Sequence, residues 1–218
     1  MLDPRDKEEI IRRYTERFER HGGTVRALGS GSDEHQSLRY KVIAEIADLG
    51  GQRVLDVGCG YGGFLDYGRH YGQPMIYTGA DIVPALLEEG KKRHPSARFV
   101  EMDILDAPDE LEFDYVVSSQ GFNNRLKHSD NWKVVQEVLK RCFKIAKKGV
   151  AFDMMSTYVD FREDHLYYFD PSEVFRFCKT LTKRVTLRHD YRLFEFCVYL
   201  FPDFDGWRSD EADQDGTH

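Results

Sequence analysis

Residues 54–63 read Val-Leu-Asp-Val-Gly-Cys-Gly-Tyr-Gly-Gly, and this stretch decides the fold. An apolar strand ends near Asp56 and runs into alternating glycines at Gly58, Gly60 and Gly62, with a helical segment from about Phe64. A strand that turns through glycines into a helix brings backbone N–H groups close to a nucleotide or an amino-acid-bearing ligand. Glycine serves there because a side chain would block close approach and because such turns use positive φ. Asp56 places a fixed negative charge beside the turn, which repels a pyrophosphate and attracts a cation.

The turn alone leaves alternatives open. Gly58-x-Gly60-x-x-Gly63 also satisfies the dinucleotide fingerprint, whose acid about 20 residues further on is matched by Asp81 after the strand Met75–Ala80. A glycine turn with no ligand is a further possibility. Phe99–Asp106 adds a third strand ending in an acid, so Asp56, Asp81 and Asp103 close three successive strands.

This ordered set resembles the class I S-adenosylmethionine-dependent methyltransferases, on the side of uncharacterised bacterial enzymes with small-molecule acceptors. Residues 53–120 carry the likeness, with the first motif complete as Asp56, Gly58, Gly60 and Gly62. The resemblance implies that the glycine turn lies along the methionine part of the cofactor and that Asp81 takes the ribose hydroxyls. It implies that Asp103 meets the adenine amino group between Met102 and Ile104. Ile82, Ser119 and Cys59, a small filler of the turn, join the same cofactor set, and Arg39 or Gln36 is a candidate for the cofactor carboxylate. It also implies a Rossmann-like, doubly wound and mostly parallel seven-stranded sheet with an antiparallel last strand.

Composition fits one enzyme domain. The chain has 218 residues, 41% hydrophobic and 32% charged, which excludes wholesale disorder. No apolar run reaches membrane-spanning length and residues 1–10 hold no signal core, so a cytoplasmic protein without membrane association is expected. Cys59, Cys142, Cys178 and Cys197 are widely spaced and form no metal-type pair, so no metal is expected. The net charge is −7, and the short basic runs at residues 91–93 and 147–148 read as helix ends, which disfavours nucleic acid as a partner.

Three segments follow. Residues 1–47 form a helical N-terminal cap, with helices over Glu8–Arg20 and about His35–Leu49; Ile11, Tyr14 and Phe18 give the first an apolar face. Residues 48–201 form the main domain. Its strands are Arg53–Val57, Met75–Ala80, Arg98–Met102, Phe113–Ser118, Val150–Met155, Arg184–Tyr191 and Glu195–Phe201. Its helices are Phe64–Tyr71, Pro84–Arg93, Asn131–Lys147 and Ser172–Leu181. The short link 192–194 predicts an antiparallel hairpin. Residues 202–218 are acidic, and disorder is expected.

The acceptor side is expected after the fourth strand, where Gln120, Asn123 and Asn124 can hydrogen-bond and Arg125 can pair with an anion. That segment lacks the Asn/Asp-Pro-Pro-Tyr pattern of enzymes acting on planar amino nitrogens. Tyr158 and Tyr168, after the fifth strand, are candidates for enclosing the acceptor. His165, and after it His189, are the candidate general bases, because histidine titrates near neutral pH. These residues predict methyl transfer to an oxygen or nitrogen of a small molecule. An NAD-dependent oxidoreductase and a non-catalytic cofactor-binding subunit are the alternatives.

Overall fold

The computed structural model describes residues 2–203; the acidic stretch from residue 204 onward lies outside them. Strands β1 (Arg53–Val57), β2 (Ile76–Asp81), β3 (Arg98–Glu101), β4 (Phe113–Ser118), β5 (Ala146–Met155), β6 (Arg184–Arg188) and β7 (Glu195–Phe201) form one sheet in the order β3-β2-β1-β4-β5-β7-β6. β1 to β5 run parallel to one another. β7 is antiparallel to both β5 and β6, so the last strand sits one place in from the edge. The expected antiparallel pairing is therefore present.

Helices α3 (Gly63–His70), α4 (Pro84–Arg93), α5 (Asn131–Ile145) and α6 (Pro171–Leu181) cover the sheet, joined by α1 (Pro4–His21) and α2 (Asp33–Ala44). Val54 and Leu55 of the central strand are fully buried, as the apolar run of a doubly covered parallel strand requires. One face packs Leu139 of α5, Phe152 and Phe196. The other packs Ile43 of α2, Phe64 of α3 and Leu87 of α4. α2 thus belongs to the main core, and α1 alone lies over it as a lid.

The larger shifts from the expected boundaries each have a local reason. α1 starts at Pro4 rather than Glu8, because Asp3 caps it by accepting from the Arg5 backbone N–H at 2.9 Å and proline suits the first helical position. α2 ends at Ala44 rather than Leu49: the backbone tightens through Ile46 N–H to Ile43 C=O, and Ile46 and Leu49 drop into the core. α5 ends at Ile145, and Lys147 and Lys148 lie on β5 rather than in a last helical turn. There Lys147 pairs with Glu112 at 2.6 Å and Lys148 with Asp114 at 3.1 Å, across the base of the sheet. β6 stops at Arg188, whose guanidinium bonds Asp190 and Glu45, leaving residues 189–194 as a loop.

α1 crosses the C-terminal end of the parallel strands. Its Ile11, Tyr14 and Phe18 pack on Val83 and Leu86 at the start of α4. At its other end the buried Asp6 accepts from the Lys127 N–H at 2.9 Å and the His128 N–H, tying α1 to the segment after β4.

Candidate active site

The glycine turn after β1 is built by backbone geometry. Gly58 and Gly60 have φ of 73° and 55°, in the left-handed region where glycine is free of penalty. A Cβ at Gly60 would stand 2.7 Å from Leu28 Cδ2, so the turn and the segment after α1 approach within a side chain's width. Gly58 N–H and Cys59 N–H both donate to the Ala80 carbonyl, which pins the turn against β2.

Asp81 ends β2. It accepts from Gly60 N–H at 2.8 Å and from Val83 N–H at 3.0 Å. Burial pushes its pKa up, and these backbone donors oppose the rise. Each oxygen keeps a lone pair for a ligand hydroxyl. Asp56 is 4% exposed and accepts the Tyr77 hydroxyl at 2.7 Å. Burial pushes its carboxyl up to about 7, with Asp81 and Asp153 adding like-charge repulsion. A cation brought into the neighbouring cavity would stabilise its ionised form. Asp103 caps the 3-10 turn at Ile104–Asp106 through Leu105 N–H, and its other oxygen meets Lys7 Nζ of α1 at 3.2 Å.

These three carboxylates line one cavity of about 210 Å³. Gly58, Cys59, Gly60, Ile82, Met102, Ile104, Ser119 and Arg39 share its wall, as does Gln36. Gly62 does not: it faces His94 and Phe99, where a Cβ would stand 2.9 Å from the Phe99 ring, so its place in the motif serves helix-to-sheet packing. Cys59 is buried and its thiol is pushed well above the ordinary range by burial and by Asp56 and Asp81, which suits a filler and not a nucleophile. Arg39 reaches the cavity wall, but its guanidinium forks onto Glu195 at 2.7 and 2.8 Å and donates to Ser30. Its charge is balanced inside the protein.

A second cavity, of about 790 Å³, adjoins the first. Tyr14, Leu28, Gly29, Arg39, Gln120 and Asn124 line both. Gln120 has φ of 61°, an uncommon conformation for a residue with a side chain. It is held there by Asp153, which accepts its backbone N–H at 2.6 Å, its Nε2 at 3.1 Å and the Ser119 hydroxyl at 2.9 Å. Burial, with repulsion from Glu195, raises the Asp153 carboxyl to about 7. Asn123 lines the second cavity, but its amide is spent internally: it donates to Gln120 Oε1 and accepts Met155 N–H. Asn124 accepts from Arg13 at 3.1 Å and donates to the Tyr14 hydroxyl at 3.4 Å.

The outer candidates are dispersed. His165 lines the second cavity from an exposed position, 3.4 Å from Glu163, and is absent from the wall the two cavities share. His189 and Tyr158 contact each other outside both cavities. Tyr168 is buried, with its hydroxyl accepting Glu163 N–H and Arg162 over its ring. Arg125 donates to the Asp164 carbonyl and stands over Tyr167. Neither Tyr168 nor Arg125 lines either of these two cavities. Sequence reasoning missed Lys7, Asp153 and Glu195, which carry no local signal, and Arg13, Arg17 and Leu28, which the amphipathic pattern of α1 could have brought forward.

The chain matches a family model described as a methyltransferase domain over residues 54–149. It is 36% identical over 152 residues to the methyltransferase-family protein Rv1506c of Mycobacterium tuberculosis, covering 67% of this chain and 91% of that one. The chain is a class I S-adenosylmethionine-dependent methyltransferase. It is also 38% identical over 87 residues to the phthiotriol/phenolphthiotriol dimycocerosates methyltransferase of M. tuberculosis; the match spans 38% of this chain and about a third of that protein. In fold, the methyltransferase resembles the magnesium protoporphyrin IX methyltransferase from Synechocystis PCC 6803 with bound S-adenosylhomocysteine. The TM-score is 0.67 at 14% identity, over 91% of this chain and all of that one.

The enzyme uses S-adenosylmethionine, and the first cavity suits such a compound. Buried Asp56 faces a space in which a cation would relieve it, Asp81 retains acceptor capacity, and Val134, Val135 and Val138 of α5 give an apolar wall for a flat ring. Among the described residues no group of three or more His, Cys, Asp or Glu is gathered to hold a metal, and no helix is long and apolar enough to cross a membrane.

Proposed function

We propose that this methyltransferase transfers the methyl group to an oxygen or nitrogen of a small-molecule acceptor seated in the second cavity, releasing S-adenosylhomocysteine. The observation that carries the reading is the wall common to the two cavities, where Gln120 and Tyr14 face both. In this reading the glycine turn supports the methionine part of the cofactor, Asp81 takes the ribose hydroxyls, and Asp103 accepts from the adenine amino group beside Met102 and Ile104. The cofactor supplies an electrophilic methyl on a sulfonium. The protein contributes alignment and exclusion of water, for which α1 closes over the cavity, and held alignment can be worth ~7–11 kcal/mol.

A small acceptor is supported by the second cavity adjoining the first and by the relative named for phthiotriol dimycocerosates. It is supported too by the pairing of Lys147 and Lys148 with acids, which leaves those cations no phosphate track to form. Titration calorimetry with S-adenosylmethionine and with NAD, then mass spectrometry of a metabolite extract for a product heavier by CH₂, tests the proposal. Binding of NAD alone would refute it, as would cofactor binding with methylated protein or nucleic acid as the sole product.

A further inference from the structure

We infer that the acceptor is an amphipathic carboxylic acid, held by its carboxylate against Arg13 and Arg17 and methylated on a carboxylate oxygen. The inference rests on the methyl-transfer reading above and names the substrate class for the same site.

Charge in the second cavity comes first. Arg39 and Glu195 cancel within the protein, and Arg192 is paired with Glu34. Glu163 stands at the exposed rim beside His165. Among the described lining residues that leaves Arg13 and Arg17, on successive turns of α1, as the arginines without a carboxylate of their own. Arg13 bonds Asn124 at 3.1 Å and lies 3.7 Å from Glu9, which Lys127 shares at 2.8 Å. Arg17 is steadied by one bond to the Arg26 carbonyl at 2.7 Å, while its buried Nε meets no acceptor. Apart from that bond and the buried Nε, the Arg17 guanidinium keeps N–H donors, and a guanidinium on a cavity wall suits a carboxylate. The Tyr14 hydroxyl accepts from Asn124, leaving its own proton to be donated into the cavity beside these arginines.

Among the described residues the wall shared by the two cavities holds no base; His35 and His165 line the second cavity only. The residues common to both cavities are a tyrosine, two amides, a leucine, a glycine and an arginine already paired. Asp153 is buried behind Gln120 and lines neither cavity, both Glu195 oxygens are occupied by Arg39, and Asp56 lies on the cofactor side only. An alcohol or ammonium acceptor must lose a proton there, whereas a carboxylic acid is already ionised at neutral pH. A carboxylate oxygen forms the new bond to the methyl carbon with its own lone pair. The carbon–sulfur pair stays on sulfur, the carboxylate and sulfonium charges cancel, and no proton is released.

Part of the cavity wall is apolar. Phe161 and Phe194 flank its mouth, 64% and 42% exposed with ring centroids 6.1 Å apart, and Leu166, Leu193 and Met155 continue the surface inward. Anionic head and apolar body are both provided for.

The test is calorimetry on the enzyme saturated with S-adenosylhomocysteine, titrated with decanoate, palmitate and hydrocinnamate beside 1-decanol and decylamine. Turnover of the same compounds with S-adenosylmethionine is followed in a pH-stat. Acids should bind and be esterified without acid release. Arg17→Met should weaken acid binding about tenfold to a hundredfold while leaving S-adenosylhomocysteine affinity unchanged, and Arg17→Lys should restore part of it. Preserved cofactor binding with methylated alcohol or amine and untouched acids would overturn this inference alone, as would unaltered acid affinity in Arg17→Met. Loss of S-adenosylhomocysteine binding in the wild type would remove the methyl-transfer reading and this inference with it.

Discussion

Asp56→Asn should make the protein more stable at pH 8 and a poorer binder of S-adenosylmethionine. In the folded chain the Asp56 carboxyl is buried, receives one hydrogen bond from Tyr77, and faces the carboxylates of Asp81 and Asp153. Burial, above all, raises it from 3.8 to about 7. Because the folded value is the higher one, the folded state keeps a proton that the unfolded chain has lost throughout the window between these values. Stability from this group therefore falls as pH rises from about 4 and levels off above about 7. The full loss is about 4 kcal/mol at most, at ~1.4 kcal/mol per tenfold change. Asparagine has nearly the same shape, can still accept from Tyr77, and carries no charge. Its amide N–H₂ gives back roughly 1–3 kcal/mol if it stays unpaired. The expected net gain at pH 8 is about 1–3 kcal/mol, vanishing or reversing near pH 4.5. Urea unfolding followed by circular dichroism at both pH values measures it. A gap between variant and wild type that is the same at both pH values would refute the reasoning. The ligand side gives a second reading: the variant should lose more affinity for the cationic S-adenosylmethionine than for S-adenosylhomocysteine, whose sulfur is neutral.

Four further outcomes are expected. Asp81→Ala should weaken S-adenosylhomocysteine binding by about tenfold or more, and calorimetry showing unchanged affinity would exclude the assigned ribose contact. Lys7→Ala removes the ion pair from α1 to Asp103; stopped-flow release of S-adenosylhomocysteine should quicken about two- to fivefold, and an unchanged rate would mean that this pair does not hold the lid. Arg39→Met leaves Glu195 buried without its partner and should cost about 3–5 kcal/mol in urea unfolding, with part of the loss recovered in Arg39→Met/Glu195→Gln; a silent single variant would contradict the pairing. Leu139→Ala, fully buried on α5, should cost about 2–5 kcal/mol, and a loss under 1 kcal/mol would contradict its place in the core.

The parts of the site visible in the sequence are those fixed by neighbours along the chain. Gly58 and Gly60 betray a backbone conformation, and Asp81 and Asp103 mark strand ends because an acid follows an apolar run. Gly62 satisfied the same spelling yet serves packing against Phe99, since letters in a motif do not reveal which side of the turn meets the ligand. Lys147 and Lys148 looked like a helix end because cations favour that place; their pairing with Glu112 and Asp114 across the sheet drew them into β5 instead. Asn123 and Tyr168 had the right chemistry in the right segment, but internal hydrogen bonds already claim their polar atoms.

By itself the sequence determined a parallel sheet with three acids near its C-terminal rim and a glycine turn between the first strand and the helix after it, because strand, turn and helix preferences act over a few residues. Only tertiary structure decided that α1 closes that rim through Lys7 and Asp6, that Arg39 turns to Glu195, and that Asp153 holds Gln120 between two cavities. Those contacts join groups far apart in the chain. Each depends on burial making a charge costly until a partner from elsewhere meets it, and no local pattern of residues records that requirement.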